Sequence, residues 1–223
     1  MSDHHDHHDH VHTHGEKHRH PFQPDHDDTL TYYRKLEMAV RELLVAQGVI
    51  TADEVHKVVQ DIESRTPEGG ARVVARAWTD AAFKERLLQD ATAACESMGF
   101  EMALYDVKLT VVENTPEVHN MVVCTLCSCY PRMLLGLPPA WYKSLAYRSR
   151  AVREPRAVLR EFGLEVPESV SVRVHDSTAD LRYLVLPMRP PGTDGWTEQQ
   201  LTQIVSRDSM IGTATLKAPG QSS

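Results

Sequence analysis

The sequence predicts an α+β protein in three parts: a disordered histidine-rich tail, an N-terminal helical arm, and a layered mixed α/β domain that binds a metal. Residues 1–27 are a low-complexity tract of histidine and aspartate, and residues 28–68 show helical periodicity. Helical and strand-like patterns intermix over residues 69–215. Residues 216–223 are expected to be a flexible C-terminus.

The tail holds ten of the thirteen histidines of the chain. A tract with so little apolar surface to bury predicts disorder. Imidazoles at this density bind divalent transition metals weakly and without fixed geometry. We therefore expect the tail to gather metal at most, and to take no part in catalysis.

The arm is predicted from two runs of apolar residues at the spacing of one helix face. The first run is Leu30, Tyr33, Leu36, Val40 and Leu43. A capping box of Thr51 and Glu54 then opens a second helix. Its apolar residues are Val55, Val58, Val59 and Ile62. Helices with so few partners nearby are expected to lie against another subunit.

The domain begins with a predicted break at Gly69 and Gly70, followed by a helical region that ends near Gly99. The apolar face of this region comprises Phe83, Leu87, Ala91, Ala94 and Met98. Cys95 lies within it, and a lone cysteine in a helix is expected to be a buried structural thiol.

Strand-like and helical segments follow. Apolar runs predict strands at 107–112, 121–123, 170–174 and 183–186. A short helix is predicted between Pro155 and Gly163, and another begins at Thr197, where Gln200 completes a capping box. Segment 192–195 lacks the lysine of a phosphate loop and is predicted to be a turn.

Composition and charge exclude several classes of function. The formal net charge of -7 disfavours a nucleic acid or an anionic membrane as partner. No apolar run approaches the roughly 20 residues that cross a bilayer. The first residues also lack the pattern of a signal peptide. We therefore expect a cytoplasmic protein.

Cys124, Cys127 and Cys129 lie close together, a spacing that disfavours disulfides among them and favours a metal or redox site. A structural zinc site would need a fourth ligand, and His119 and His175 are the candidates. A redox pair of Cys124 and Cys127 is also compatible with the spacing, but it leaves the third thiol without a role.

A third interpretation uses the whole segment. If the sulfurs of Cys127 and Cys129 bind one ion, the deprotonated amide nitrogens of Ser128 and Cys129 complete a square plane. Cys124 then takes one axial position and the other stays open for water or substrate. Such donors suit low-spin trivalent cobalt or iron rather than zinc. The predicted metal-binding residues are Cys124, Cys127, Ser128 and Cys129.

Residues 124–129, Cys-Thr-Leu-Cys-Ser-Cys, resemble the metal-binding loop of nitrile hydratase α subunits. Other segments that resemble this family are 111–115, 117–119, 135–139, 141–143, 147–150, 153–156, 189–190, 192–196 and 206–212. Thr125 and Tyr130 resemble the cobalt form of the family. The resemblance implies hydration of a small nitrile to its amide, with one cobalt(III) per chain and iron(III) as the alternative metal.

The resemblance also implies roles for single residues. Cys127 would be oxidised to a sulfinate and Cys129 to a sulfenate, while Cys124 stays a thiolate. Catalysis is assigned to Cys129, whose oxygen attacks the nitrile or activates a water, and to Ser128. Because the loop has no arginine before Arg132, a β-type partner subunit would supply arginines and part of the pocket. An activator protein would insert the cobalt.

Two segments depart from the family pattern. Segment 100–106 offers no clear counterpart of the glutamine that lines the pocket, and Arg132 stands where tryptophan is common. Arg132 favours an anionic substrate, and segments 36–43 and 124–132 also resemble the metal-bearing subunit of thiocyanate hydrolase. That activity is the alternative. Segments 135–139 and 147–156 favour nitrile hydratase.

A cobalt storage or delivery protein is the third hypothesis. It would use the histidine-rich tail together with the cysteine loop to carry the metal. Delivery needs a labile site, whereas three sulfurs with amide nitrogens form an inert one. The loop chemistry therefore favours an enzyme.

Deletion of residues 1–27 should leave the turnover of metal-loaded enzyme unchanged, because this tract has no core to join. Steady-state rates of the truncated and full-length proteins, each normalised to bound metal, test this. Loading at limiting cobalt should slow in the truncated protein. Loss of activity at equal metal content would contradict the prediction.

Overall fold

The computed structural model describes residues 30–102 and 107–217. Within these ranges the prediction of an α+β protein is confirmed. The helices are α1 Tyr32–Ala46, α2 Ala52–Ser64, α3 Glu68–Thr79, α4 Ala81–Gln89, α5 Ala91–Glu96, α6 Arg132–Leu135, α7 Ala140–Lys143, α8 Leu145–Ala151, α9 Pro155–Glu161, α10 Glu198–Ile204 and α11 Arg207–Ile211. The strands are β1 Lys108–Glu113, β2 Val118–Val123, β3 Ser171–Asp176 and β4 Leu181–Leu186. The predicted tail and most of the predicted flexible C-terminus lie outside the described residues.

The arm consists of the two predicted helices, α1 and α2. The capping box of α2 makes both of its bonds, from the Thr51 amide to Glu54 Oε2 at 2.7 Å and from the Glu54 amide to Thr51 Oγ1 at 3.1 Å. Neither helix has a buried residue. Apolar side chains that are 42% to 59% exposed are Leu36, Val40, Leu43, Val58 and Val59. The apolar faces of the arm are therefore uncovered in the single chain.

The helical region that precedes β1 is divided into α3, α4 and α5. The side chain of Asp80 accepts from the amide of Phe83, and that of Asp90 accepts from the amide of Ala93. Each aspartate thus ends one helix and caps the next, because its side chain satisfies an amide that has no partner inside the helix. Gly99 follows α5 with φ +86, a conformation that favours glycine.

The predicted break at Gly69 and Gly70 is wrong, because both residues lie inside α3. A Cβ at Gly70 would lie 2.5 Å from Leu135 Cδ2 and 2.7 Å from Met210 Sδ. Glycine here allows α3 to approach α6 and α11 closely. The glycine is needed for packing, although its low helix propensity destabilises the first turn of α3 slightly.

The four predicted strands are confirmed, and β2 begins earlier than expected. They form two parallel pairs, β1 with β4 and β2 with β3. Parallel neighbours need long crossover connections, and α6 to α9 lie between β2 and β3. Val123 pairs with Asp176 where β2 and β3 both end. Residues 124–129 therefore leave the carboxyl end of a parallel pair.

The crossover helices pack an aromatic cluster behind this end of the strands. The ring of Trp141 lies 4.9 Å from that of Tyr147 and 4.7 Å from that of Phe162, both edge to face.

The predicted helix after Pro155 and the capping box of α10 are confirmed, as is the turn at 192–195. Helix α11 was not predicted. No helix in the described ranges is long and apolar enough to span a membrane.

Gly212 ends α11 with φ +88, and a Cβ there would collide with the carbonyl oxygen of Asn120 in β2. Gly163 has φ +80 but open space around the same position. Gly163→Ala should therefore cost only the conformational strain, roughly 1–2 kcal/mol. Gly212→Ala should cost about 1–3 kcal/mol more, because the backbone of β2 must also shift.

Urea denaturation of both variants measures the two free energies of unfolding. Gly163→Ala serves as the control for the positive φ alone. Equal losses of stability in the two variants would show that the contact between α11 and β2 contributes nothing.

Candidate metal centre

The three clustered cysteines converge in the fold. Their sulfur atoms lie within 4.8 Å of one another. The Cys127 sulfur is 3.6 Å from that of Cys124 and 3.2 Å from that of Cys129. In the part of the chain that the structure describes, no other group of three or more metal-binding side chains comes together. That these sulfurs hold a metal stays a prediction.

The three thiols differ in their access to solvent. Cys124 is fully buried and Cys129 is 8% exposed, whereas Cys127 is exposed. A cleft opens over the last two sulfurs. Its lining residues are Val107, Cys127, Ser128, Cys129, Tyr130, Arg132, Met133, Ala179 and Arg182. A small molecule can thus reach the sulfurs of Cys127 and Cys129 through this cleft.

Electrostatics separate the two thiols at the cleft. The hydrogen bond with Cys129 lowers the pKa of the Cys127 thiol, and bonds with Cys124 and the amides of Ser128 and Cys129 lower it further. Burial raises the pKa of Cys129 to about 12, and the neighbouring sulfurs add to this rise. Of these two thiols, Cys127 is therefore the one that ionises more readily. The amides of Ser128 and Cys129, which the third interpretation requires as ligands, already face that sulfur.

The start of the loop is held by two charged side chains. Asp176, at the end of β3, accepts from the Thr125 amide at 2.9 Å and from its hydroxyl at 2.5 Å. Arg148, in α8, donates from Nε to the carbonyl of Cys124 at 3.2 Å and from Nη2 to the carbonyl of Thr125 at 2.9 Å. Both contacts fix the backbone that carries Cys124.

Two tyrosines bind backbone on either side of this point. The Tyr147 hydroxyl donates to the carbonyl of Val122 at 2.7 Å, and the Tyr142 hydroxyl donates to the carbonyl of Cys129 at 2.9 Å. Buried carbonyls need such partners. The loop is thus anchored at its two ends by α7 and α8, while Leu126 in its middle is 80% exposed.

The two histidines considered as a fourth zinc ligand lie elsewhere. His119 Nε2 is 2.7 Å from the carbonyl oxygen of Gly212, and His175 Nε2 is 2.8 Å from the side-chain oxygen of Asn120. Neither imidazole joins the sulfur cluster. Among the described residues, a tetrahedral zinc site lacks its fourth protein ligand.

Sequence reasoning missed the residues that surround the loop. Arg182, in β4, lines the cleft, and its charge lowers the pKa of Cys129 against the effect of burial. This chain therefore contributes a positive charge at the cleft, besides the arginines expected from a partner subunit. Of the residues that hold the loop, only Asp176 could have been suspected from the sequence, because it is a charged residue at the end of a strand. Nothing local distinguishes Arg148 or Arg182 from other arginines.

Cys95 behaves as predicted for a structural thiol. It is fully buried in α5, and burial raises its pKa to about 12. Its side chain belongs to the hydrophobic core and not to the sulfur cluster.

Known proteins match this chain over most of its length. The family described as nitrile hydratase, alpha chain, matches residues 31–214. The chain belongs to this family. The resemblance predicted from the loop is confirmed, and it extends to the helical arm.

Two relatives and one solved structure show how similar the chain is to proteins of known type. The high-molecular weight cobalt-containing nitrile hydratase subunit alpha of Rhodococcus rhodochrous is 49% identical over 199 residues, which cover 87% of this chain and 97% of that protein. Thiocyanate hydrolase subunit gamma of Thiobacillus thioparus is 45% identical over 196 residues, 83% of this chain and 80% of that protein. A double mutant of the Fe-type nitrile hydratase from Comamonas testosteroni Ni1 has a TM-score of 0.78 at 42% identity, covering 87% of this chain and 94% of that one.

Cys127→Ser should abolish a tightly bound transition metal at about one ion per chain, because it removes a sulfur at the centre of the cluster. Cys95→Ser, the matched control, should leave the metal content unchanged. Elemental analysis for cobalt, iron and zinc after purification measures both. Stoichiometric zinc without cobalt or iron in the wild-type chain, expressed with cobalt present, would contradict the assignment.

Proposed function

We propose that this chain is the metal-bearing α subunit of a cobalt-dependent nitrile hydratase, which adds water to a nitrile to form the amide. One observation carries the proposal. Cys127, Ser128 and Cys129 line a single cleft, and the sulfur of the buried Cys124 lies within 4.8 Å of the other two sulfurs. This is the donor set that the family's trivalent metal requires.

The residues present fit cobalt(III) better than zinc. Three sulfurs and two amide nitrogens are strong-field donors, and cobalt is named in several relatives of the chain. When bound, the ion would act as a Lewis acid that draws charge from the carbon–nitrogen triple bond. The exposed side of Cys127 leaves room for a small substrate above the loop.

The chain's own residues then direct the addition of water. We assign sulfinate to Cys127 and sulfenate to Cys129, the lower steps of thiol oxidation. The Cys129 oxygen takes a proton from the water that attacks the nitrile carbon, or it bonds to that carbon itself and a water then displaces it, which restores the sulfenate. Either route consumes one water: the carbon gains one oxygen and the nitrogen gains two hydrogens, which yields the amide. Arg182 at the cleft supplies positive charge close to this oxygen.

A β-type partner subunit is part of the proposal. The exposed apolar faces of α1 and α2 need a covering surface, and exposed apolar patches of this kind mark interfaces. The cleft is open above Cys127, so a partner can complete the pocket there and add arginines for the oxidised sulfurs. A cobalt-inserting activator and a cytoplasmic location stay predictions from the sequence.

Thiocyanate hydrolysis is the second candidate. Arg132 lines the cleft together with Arg182, and two cations beside a substrate pocket favour an anion such as thiocyanate. The similarity to the gamma subunit of thiocyanate hydrolase supports this alternative.

The cobalt-loaded chain alone should hydrate nitriles far more slowly than its complex with the partner subunit, because half of the pocket and the interface are missing. Amide formation from a small aliphatic and an aromatic nitrile, with and without the partner, measures this. Equal rates would contradict the shared-pocket proposal.

The same complex, offered thiocyanate, separates the two candidates. Amide formation without thiocyanate consumption supports nitrile hydratase. Thiocyanate consumption that falls when Arg132 is replaced by Trp, with little amide formed, would favour the alternative.

A further inference from the structure

Two side chains, Arg148 and Asp176, bind the backbone at the start of the cysteine loop from opposite sides. We infer that Arg148 is a positioning residue for the metal centre, which holds the buried thiol Cys124 in place before the metal arrives. The inference rests on the proposed metal site. It concerns metal retention and not the identity of the substrate.

Arg148 and Asp176 bind the C=O and the N–H of the same peptide group. The carbonyl of Cys124 accepts from Arg148 Nε at 3.2 Å, while the amide of Thr125 in the same peptide donates to Asp176 at 2.9 Å. A cation on the oxygen and a carboxylate on the N–H fix the plane of this peptide. Since that plane sets the direction of the Cys124 Cα–Cβ bond, it also aims the sulfur.

The shape of the guanidinium matters for this contact. Arg148 spans two consecutive carbonyls, those of Cys124 and Thr125, with two of its nitrogens. A planar fork can bind both at once, whereas a lysine ammonium is a point charge without that fixed geometry. Arg148 is half-buried, and its bond to the Cys124 carbonyl is partly shielded from water, whereas its bond to the Thr125 carbonyl is exposed.

The helix that carries Arg148 is itself tied to the strand that leads into the loop. Ser144 caps α8 through the amide of Tyr147, and the Tyr147 hydroxyl binds the carbonyl of Val122. The helix that carries the guanidinium is therefore fixed to β2. Residues that orient the ligands of a metal site need such support. Leu126 and Cys127, by contrast, are exposed.

Cys124 is thus the fully buried sulfur of the cluster, while Cys127 and Cys129 line the cleft. A metal that enters through the cleft would meet the sulfurs of Cys127 and Cys129 and would find the buried sulfur of Cys124 already in position. Without Arg148, the carbonyls of Cys124 and Thr125 lose their cation, and only Asp176 holds this peptide. The metal should then be held less firmly although every ligand is still present.

The test compares three variants in the complete complex with the partner subunit. Arg148→Met removes the charge and the fork, and Arg148→Lys keeps the charge alone. Arg153→Met is the matched control, since Arg153 is an exposed arginine shortly after α8. Cobalt per chain after expression, its release to a chelator under reduction, and the sulfur-to-metal absorption band are measured for each.

Arg148→Met should release metal about 10- to 100-fold faster than the wild type, the usual effect of losing a second-layer contact. Arg148→Lys should fall between the two, and its absorption band should shift, a change that a general loss of stability does not produce. Arg153→Met should match the wild type. If Arg148→Met does not fold, the Arg148→Lys variant by itself tests the role of Arg148.

Wild-type metal retention and an unshifted band in a folded Arg148→Lys or Arg148→Met variant would overturn the inference. The two proposals fail separately. A wild-type complex that holds cobalt but hydrates no nitrile would refute the proposed function and leave the role of Arg148 intact.

Discussion

The loop at 124–129 brings three sulfurs within 4.8 Å of one another, and its backbone must be held without the bonds of a helix or a sheet. Its carbonyls therefore need other partners. Here those partners are side chains from α7 and α8. Tyr147 binds the carbonyl of Val122, Arg148 binds those of Cys124 and Thr125, and Tyr142 binds that of Cys129.

The parallel strands explain why these supports are available at that place. Because β2 and β3 are parallel and in register, they end together, and Asp176 at the end of β3 reaches the loop that leaves β2. The beginning of β4 brings Arg182 to the cleft. Ligand sites at the carboxyl ends of parallel strands are a general property of such sheets, since the loops that follow are free to vary. In this chain the long crossover between β2 and β3 carries most of the loop's anchors.

Charge is divided between the buried and the open side of the cluster. The two thiols at the cleft differ, with the pKa of Cys127 lowered and that of Cys129 raised to about 12. Arg148 binds backbone on the inner side, and Arg132 and Arg182 line the open side. Positive charge at these places favours the ionised form of a partly buried thiol. The arm adds a further requirement, since α1 and α2 leave their apolar faces uncovered.

The cysteine segment, the arm helices, the four strands and the capping boxes were all predictable from the sequence, because each depends on neighbouring residues or on a short period. The family was predictable too, since its loop is contiguous. The role of Gly70 was misjudged, because the close approach of Leu135 and Met210 that requires a glycine comes from distant parts of the chain. Only the tertiary structure could bring Arg148, Asp176 and Arg182 to the loop. Their contacts depend on strand register and helix packing, which local pattern does not encode.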